Sequence, residues 1–250
     1  MYGSKRQVKF SKKKRELSDN MFNRGDFHIH STASDGDLSP TQVVYFAKSR
    51  SIDTIAITDH NTVDGINEAA KAASLYNVTV IPGVELSTRY KGASVHILGY
   101  FRSASYNSNI FRHVLEFLRN HRYKDARKLL SNIIYTEKQK GHLSILEGIN
   151  LLRAFDASVV FAHPVRIQKK LLLELIKYPF DGIEAKYCWN GYEDTKYFVR
   201  LALSKFSFYT GGSDFHTNSD KKQSHCLIGQ PYLDSLEIRA FIKNSKVLIL

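Results

Sequence analysis

Nowhere in its 250 residues does the chain carry an apolar run near the roughly 20 residues that a membrane-crossing helix needs. Its N-terminal stretch also lacks the apolar core of a secretory signal. No membrane partner is therefore expected. Cysteine is almost missing as well. Cys188 and Cys226 are the only two, and they form no ligand or framework spacing, which predicts a reducing, cytoplasmic setting without disulfides. No internal repeat, low-complexity tract or Pro/Gly-rich linker is found. The length suits one large domain or two small ones, with ample chain for a buried core.

Charge of one sign is not scarce, but it is unevenly spread. Residues 1–24 hold eight Lys or Arg against Glu16 and Asp19, so this leader carries +6 of the +12 total. It reads as a solvated basic tail, with weak nucleic-acid contact as the functional alternative. The remaining domain, 25–250, is mildly basic and suits an anionic substrate.

What the chain does have is alternation. Short apolar runs lead into polar turns and then amphipathic stretches, beginning with a strand at 26–30 and a helix opened by Ser39-Pro40. Further strands are predicted at 54–58, 78–85, 93–100, 159–163, 182–186, 207–211 and 246–250. Helices are predicted between them, including a helical stretch over 107–135 with a break near His121. This order implies an α/β fold with a mainly parallel sheet, closing most readily into a barrel.

Polar residues gather at the predicted strand ends. In "GDFHIHSTASDG" (residues 25–36), His28 and His30 alternate along a strand and so project to one face. Asp35 follows them, and "TDHN" holds Asp59 and His60. "PGVE" ends in Glu85, the next strand carries His96, "AHP" contains His163, and "GGSDFH" contains Asp214 and His216. His, Asp and Glu without Cys is a donor set for hydrolytic transition-metal sites.

The successive segments DFHIHSTASDG, ITDHNT, IPGVELS, HILGY, AHP and GGSDFH resemble, in order, the motifs of the PHP (polymerase and histidinol phosphatase) superfamily. The resemblance implies a distorted (β/α)7 barrel with a trinuclear centre of divalent ions (Mn, Zn, Fe or Mg) that hydrolyses phosphoesters through metal-activated hydroxide. Carried over by motif, one ion would be held by His28, His30, Glu85 and Asp214. Glu85 would bridge to a second ion with His96 and His163, and a third would take Asp35, His60 and His216. Glu85, Asp214, His216 and Asp35 would be the catalytic members of the set.

Asp35, where some relatives carry histidine, resembles the branch acting on 3',5'-nucleoside bisphosphates or trimming short RNA from the 5' end. A helical lid insertion at about 101–157 is then expected, although it is shorter than that branch would suggest. Its basic residues Arg112, Arg119, Arg122, Lys124, Arg127 and Lys128 are candidates for substrate contact. Arg119 and Arg122 are singled out because a spacing of three puts them on one helix face, with Leu115 and Leu118 packing that helix over the barrel. The expected partner is a phosphorylated small molecule or a short oligonucleotide. The alternatives are a histidinol-phosphate or other small phosphomonoester phosphatase, and a non-catalytic metal-bound module that binds nucleic acid. Asp59 reads equally as an orienter of a ligand imidazole or a helix cap. Glu184 is a minor candidate for support of a ligand. His113, His121, His142 and His225 read as structural or surface residues.

Overall fold

The computed structural model describes residues 22–137, 141–218 and 225–250. The first 21 residues of the basic leader lie outside these, so nothing here bears on them. Phe22 is buried and Arg24 opens the first strand.

Among the described residues, nine strands build one curved sheet. They are β1 (Arg24–Ile29), β2 (Thr54–Ile57), β3 (Thr79–Tyr90), β4 (Ala93–Phe101), β5 (Leu143–Ser144), β6 (Ala157–Phe161), β7 (Gly182–Tyr187), β8 (Phe208–Gly212) and β9 (Leu233–Asp234). Their order across the sheet is β8-β7-β6-β4-β3-β2-β1-β9, with β5 pairing onto β3. The helices are α1 (Pro40–Ser49), α2 (Ile66–Tyr76), α3 (Asn109–Arg119), α4 (Tyr123–Leu130), α5 (Ile145–Ala154), α6 (Lys169–Leu175), α7 (Tyr192–Lys205) and α8 (Ser235–Ser245). Together they form the distorted α/β barrel expected from the sequence.

The expected helix start at Ser39-Pro40 is present. Ser39 caps α1 by accepting from Gln42 N, Gln42 answers onto Ser39 N, and Pro40 takes the first helical position. Ser144 and Glu147 form the same reciprocal pair on α5.

The sheet departs from the parallel expectation at β4. It runs antiparallel to both β3 and β6, while β1, β2 and β3, and β6, β7 and β8, are parallel. The cause is local. Lys91 and Gly92 link β3 to β4 with φ of 48° and 83°, the left-handed pair that a two-residue hairpin turn requires. Gly92 takes this geometry without a side-chain penalty. The strand expected over 246–250 is also not a ladder strand. That segment instead makes separate backbone bonds, Leu248 N to Phe101 O and Leu250 N to Val80 O.

Closure of the barrel is incomplete in hydrogen-bonding terms. β1 meets the end of β8 through one bridge, Ile29 with Phe215, with His30 N donating to Phe215 O at 2.9 Å and Ser213 N to Asp26 Oδ1 at 3.0 Å. Gly212 passes so close to His28 that a Cβ there would lie 2.4 Å from the His28 Cβ, so only glycine permits the approach.

Two apolar clusters divide the work. The larger fills the space between sheet and helices, and a smaller one gathers Ala56, Ile81, Leu98, Tyr100, Val160 and Ala162 with Phe27 and Phe241. The two-residue period of a strand puts Ile81 on the same side of β3 as Glu85, and Leu98 on the same side of β4 as His96. Each strand is thus apolar at one end of that side and polar at the other.

Candidate metal centre

All nine residues singled out from the motifs converge at one rim. β1 delivers His28 and His30, and the turn after it delivers Asp35. His60 follows β2, Glu85 lies within β3, His163 follows β6, and Asp214 and His216 follow β8. His96 sits in the first half of β4 rather than beyond its carboxyl end. Because β4 is reversed, its N-terminal half is the half that reaches this rim.

Glu85 is the hub, and it is fully buried. Its Oε2 lies 3.3 Å from His28 Nε2, 3.2 Å from His30 Nε2 and 3.1 Å from His60 Nδ1. Its Oε1 lies 3.0 Å from both His96 Nδ1 and His163 Nε2. Asp214 Oδ1 stands 3.3 Å from His28 Nε2 and 3.2 Å from His30 Nε2. Asp35 faces His30 Nδ1 at 3.5 Å, His216 Nε2 at 3.4 Å and His60 Nε2 at 3.9 Å.

Several of these atoms are buried yet lack a hydrogen-bond partner: His28 Nε2, both nitrogens of His30, His60 Nδ1 and Glu85 Oε2. Orphaned buried polar atoms are costly. Two donors bonded to one ion at about 2.1 Å, with angles of about 90–110°, stand roughly 3.0–3.4 Å apart. The spacing here is that spacing. Among the described residues, four donor groupings lie close enough to share an ion: His28, His30, Glu85 and Asp214; His30, Asp35, His60 and His216; His60, Glu85 and His96, where His163 was expected in place of His60; and Asp214, His216 and His225. The residues present therefore suit divalent ions held by imidazole and carboxylate.

Electrostatics point the same way. Burial raises the cost of charge on Glu85, but His60, His28 and His96 outweigh it and hold its pKa well below the usual carboxylate range. Asp214 is held down likewise, chiefly by His28 against its burial. Burial opposes charge on His28 and His30 too. Glu184, Glu85 and Asp214 overcome it at His28, and Asp214, Asp35 and Glu85 at His30, so both pKa values rise. His60 goes the other way, lowered to about 4 by burial and by neighbouring imidazoles.

The supporting residues match expectation at Glu184 and differ at Asp59 and His225. Glu184 is fully buried, accepts from His28 Nδ1 at 2.9 Å and takes the His163 amide at 2.7 Å. Its bond holds a proton on His28 Nδ1, so Nε2, which faces Glu85 and Asp214, is the nitrogen that would give up its proton to an ion. His216 Nδ1 donates to the Asp214 carbonyl at 2.8 Å, freeing its Nε2 toward Asp35. Asp59 does neither of the things expected of it. It accepts from Ser31 N, Ser31 Oγ and Ser34 Oγ at 2.7–2.8 Å, holding the loop that carries Asp35. His225, expected as a structural or surface residue, has its Nδ1 3.4 Å from Asp214 Oδ2. No motif signalled it.

The lid needs correcting most. His121 has φ 57° and ends the helix, so Arg119 closes α3 while Arg122 precedes α4, and the two share no helix face. Arg119 lines a cavity of about 550 Å³ together with Asp35, His60, His121, Tyr123 and His142. Arg122 is exposed, pairs with Asp125 at 2.8 Å and lies over Phe117, away from that cavity. Arg127 is bidentate to Glu147 at 2.8 Å and also donates to the carbonyls of Gly141 and His142. It is a buried brace rather than a substrate contact. Arg112 pairs with Asp64 at 2.6 Å. Leu115 and Leu118 are buried as expected. Within the expected insertion, α5 packs on the sheet, with Gly99 and Gly148 allowing the close approach. That leaves α3 and α4 as the cover.

Cys188 and Cys226 form a disulfide, which overturns the expectation of two unpaired cysteines and removes the basis for inferring a reducing compartment. Neighbours in space can lie 38 residues apart in the chain, a distance that a spacing motif does not report. Among the described residues, no helix is long and apolar enough to cross a membrane.

Barrel and donor set together define a metal-binding α/β barrel of the phosphoesterase kind. A model of the PHP domain matches residues 26–177, more than half of the chain. The chain belongs to the PHP family. A 5'-3' exoribonuclease of Haemophilus influenzae is 46% identical over 79 residues, which are 32% of this chain and 29% of that protein. A 3',5'-nucleoside bisphosphate phosphatase of Chromobacterium violaceum is 42% identical over 74 residues, 30% of this chain and 26% of that protein. The matched stretches thus span under a third of the length of these curated relatives. A solved structure from Bifidobacterium adolescentis, assigned as a metal-dependent phosphoesterase, superposes with a TM-score of 0.69 at 20% identity, covering 88% of this chain and 96% of that one. At that identity the likeness speaks for the fold alone.

Proposed function

We propose that the protein is a metal-dependent phosphoesterase acting on nucleotides or short oligonucleotides at a centre of three divalent ions. The observation that carries this reading is the set of buried, unpartnered imidazole nitrogens at ligand spacing around Glu85. Divalent ions bound there supply Lewis acidity, drawing a water's pKa toward neutrality and offsetting charge on the phosphoryl oxygens.

The chain's own residues do the rest. Glu85 presents one oxygen to His96 and His163 and the other to His28, His30 and His60, which lets a single carboxylate span two ions. Glu184 and the Asp214 carbonyl fix the tautomers of His28 and His216, so that their lone pairs point inward. Arg119, at the mouth of the cavity, offers a planar fork to a second phosphate. His121, Tyr123 and His142 form an aromatic wall, with the Tyr123 and His142 rings 4.6 Å apart, suited to the flat face of a base. The two curated relatives, a nucleotide phosphatase and an exoribonuclease, support the same substrate class.

The test is to load metal-free protein with Mn²⁺ or Zn²⁺, measure metal content, and follow phosphate release. Substrates should include a nucleoside 3',5'-bisphosphate, a 5'-phosphorylated short RNA, histidinol phosphate and an aryl phosphate. Metal uptake with preference for the first two supports the reading. Preference for histidinol phosphate or the aryl phosphate would replace it with a small-monoester phosphatase. Metal uptake without hydrolysis of any of them would leave a non-catalytic module.

A further inference from the structure

His225 shares a signature with the residues around Glu85. Its Nδ1 is buried without a hydrogen-bond partner and stands 3.4 Å from Asp214 Oδ2, a spacing that suits two donors on one ion. Its ring stacks on His216 with centroids 4.0 Å apart, and Asp214, His216 and His225 form a donor set of their own. The two oxygens of Asp214 face different neighbours. Its Oδ1 is turned toward His28 and His30, while Oδ2 is turned toward the Tyr187 hydroxyl at 2.9 Å and Arg166 at 3.7 Å.

The placement of these groups is tied by a covalent bond. Tyr187 is followed by Cys188, His225 is followed by Cys226, and the two cysteines are joined. The crosslink therefore runs from the end of β7 to the segment bearing His225. It lies one residue from each of two groups that address Asp214 Oδ2.

We propose that His225 is a further donor to the metal centre, on the outer side of Asp214, and that the Cys188–Cys226 disulfide holds it there. Reduction by a dithiol then withdraws the donor and weakens metal binding. The reduction balances: the dithiol closes to its own disulfide, passing two electrons and two protons to Cys188 and Cys226, which become thiols. The inference rests on the metal-centre reading above.

The experiment titrates Co²⁺ into metal-free protein by equilibrium dialysis, with visible absorption as a second readout. It compares the wild type, His225→Ala, the double variant Cys188→Ser/Cys226→Ser, and the triple variant. Removing one donor should weaken the most loosely held equivalent about 10- to 100-fold and change its absorption, leaving the others in place. The double cysteine variant should weaken the same equivalent, as should wild type treated with a phosphine reductant. The triple variant should be no worse than His225→Ala, because a crosslink acting through His225 has nothing left to hold. Unchanged affinity in His225→Ala overturns the proposal, and a raised KM with intact metal affinity would make His225 a substrate contact instead. Full affinity in the cysteine variant overturns the role of the crosslink, as does additive loss in the triple variant. A wild type that takes up no metal overturns the metal-centre reading itself, a result distinct from all of these.

Discussion

Replacing Glu85 by glutamine changes one atom and one charge at the point where five imidazoles meet. In the wild type both oxygens are used, Oε1 by His96 and His163 and Oε2 by His28, His30 and His60, all within 3.0–3.3 Å. Glutamine keeps one oxygen as a neutral acceptor and turns the other position into an amide NH₂, which cannot bind a cation. One ion loses a donor outright and its neighbour loses the charge that offsets it. Breaking a buried charge pair by removing one partner costs about 3–5 kcal/mol, and at about 1.4 kcal/mol per decade that is roughly 10²- to 10⁴-fold in metal affinity. On the proposal that this one carboxylate serves two ions, more than one equivalent should go. The measurement is metal per protein after dialysis at fixed free Mn²⁺ or Zn²⁺, with circular dichroism confirming that the variant folds. Phosphate release should drop at least in proportion to occupancy. A variant that retains its full complement of metal, or full kcat/KM, would refute the bridging role of Glu85.

Other expectations follow from the same geometry. Arg119→Ala should lower kcat/KM about ten- to a hundredfold on a nucleoside bisphosphate, the worth of one charge-assisted hydrogen bond, and little on an aryl phosphate. Arg122→Ala should stay near wild type on both, and equal losses at the two positions would defeat the assignment. Arg127→Ala should destabilise the fold by about 3 kcal/mol, since it strands Glu147 in a buried site; a urea unfolding free energy within about 0.5 kcal/mol of wild type would show the brace to be idle. Metal uptake should release protons from His28 and His30, whose pKa values are raised in the metal-free protein. Calorimetry in buffers of different ionisation enthalpy would detect this, and buffer-independent heats would contradict it. For the metal-free protein, the stability from those two charged imidazoles is complete below the ordinary histidine pKa of about 6.5 and lost as pH rises through the elevated values. Its Tm should therefore fall toward alkaline pH, while that of the metal-loaded protein, whose imidazoles are neutral throughout, should not.

Much of this was legible before any coordinates. His28, His30, Asp35, His60, Glu85, His96, His163, Asp214 and His216 could be picked out because each lies in a short segment with a local pattern, most of them at the end of a strand. The α/β alternation and the helix start at Ser39-Pro40 were readable for the same reason. What failed was non-local. Lys91-Gly92 reverses β4 through two backbone angles, and a Lys-Gly pair is a weaker hairpin signal than Asn-Gly or Asp-Gly. His121 was marked as a break, yet whether Arg119 and Arg122 stay on one face depends on how sharply the chain turns there. Glu184 in "GIEAKY" was legible only as a minor candidate, because its partner His28 lies on another strand, although an acid inside a buried strand calls for a buried partner. His225 and the Cys188–Cys226 pair owe their roles to loops that meet only after the barrel has formed.

Donors on or just after β1, and just after β8, face each other across two strands joined by one bridge. Between β1 and the end of β8 the backbone contributes a single bridge at Ile29 and Phe215, while His28 and His30 face Asp214 and His216 across the gap. This line is the seam of the barrel, and ions seated there act as rivets across it. Seams with few backbone bonds are where proteins open first. The opening that lets this barrel breathe is therefore the same motion that empties its centre, and stripping the metal should unfasten the wall as well as the pocket. Amide exchange at His30 and Phe215 should accelerate on chelation well ahead of Ile55 and Val80, deep in the β1-to-β3 ladder. A seam that exchanges at the same rate with and without metal would mean that the wall holds itself shut.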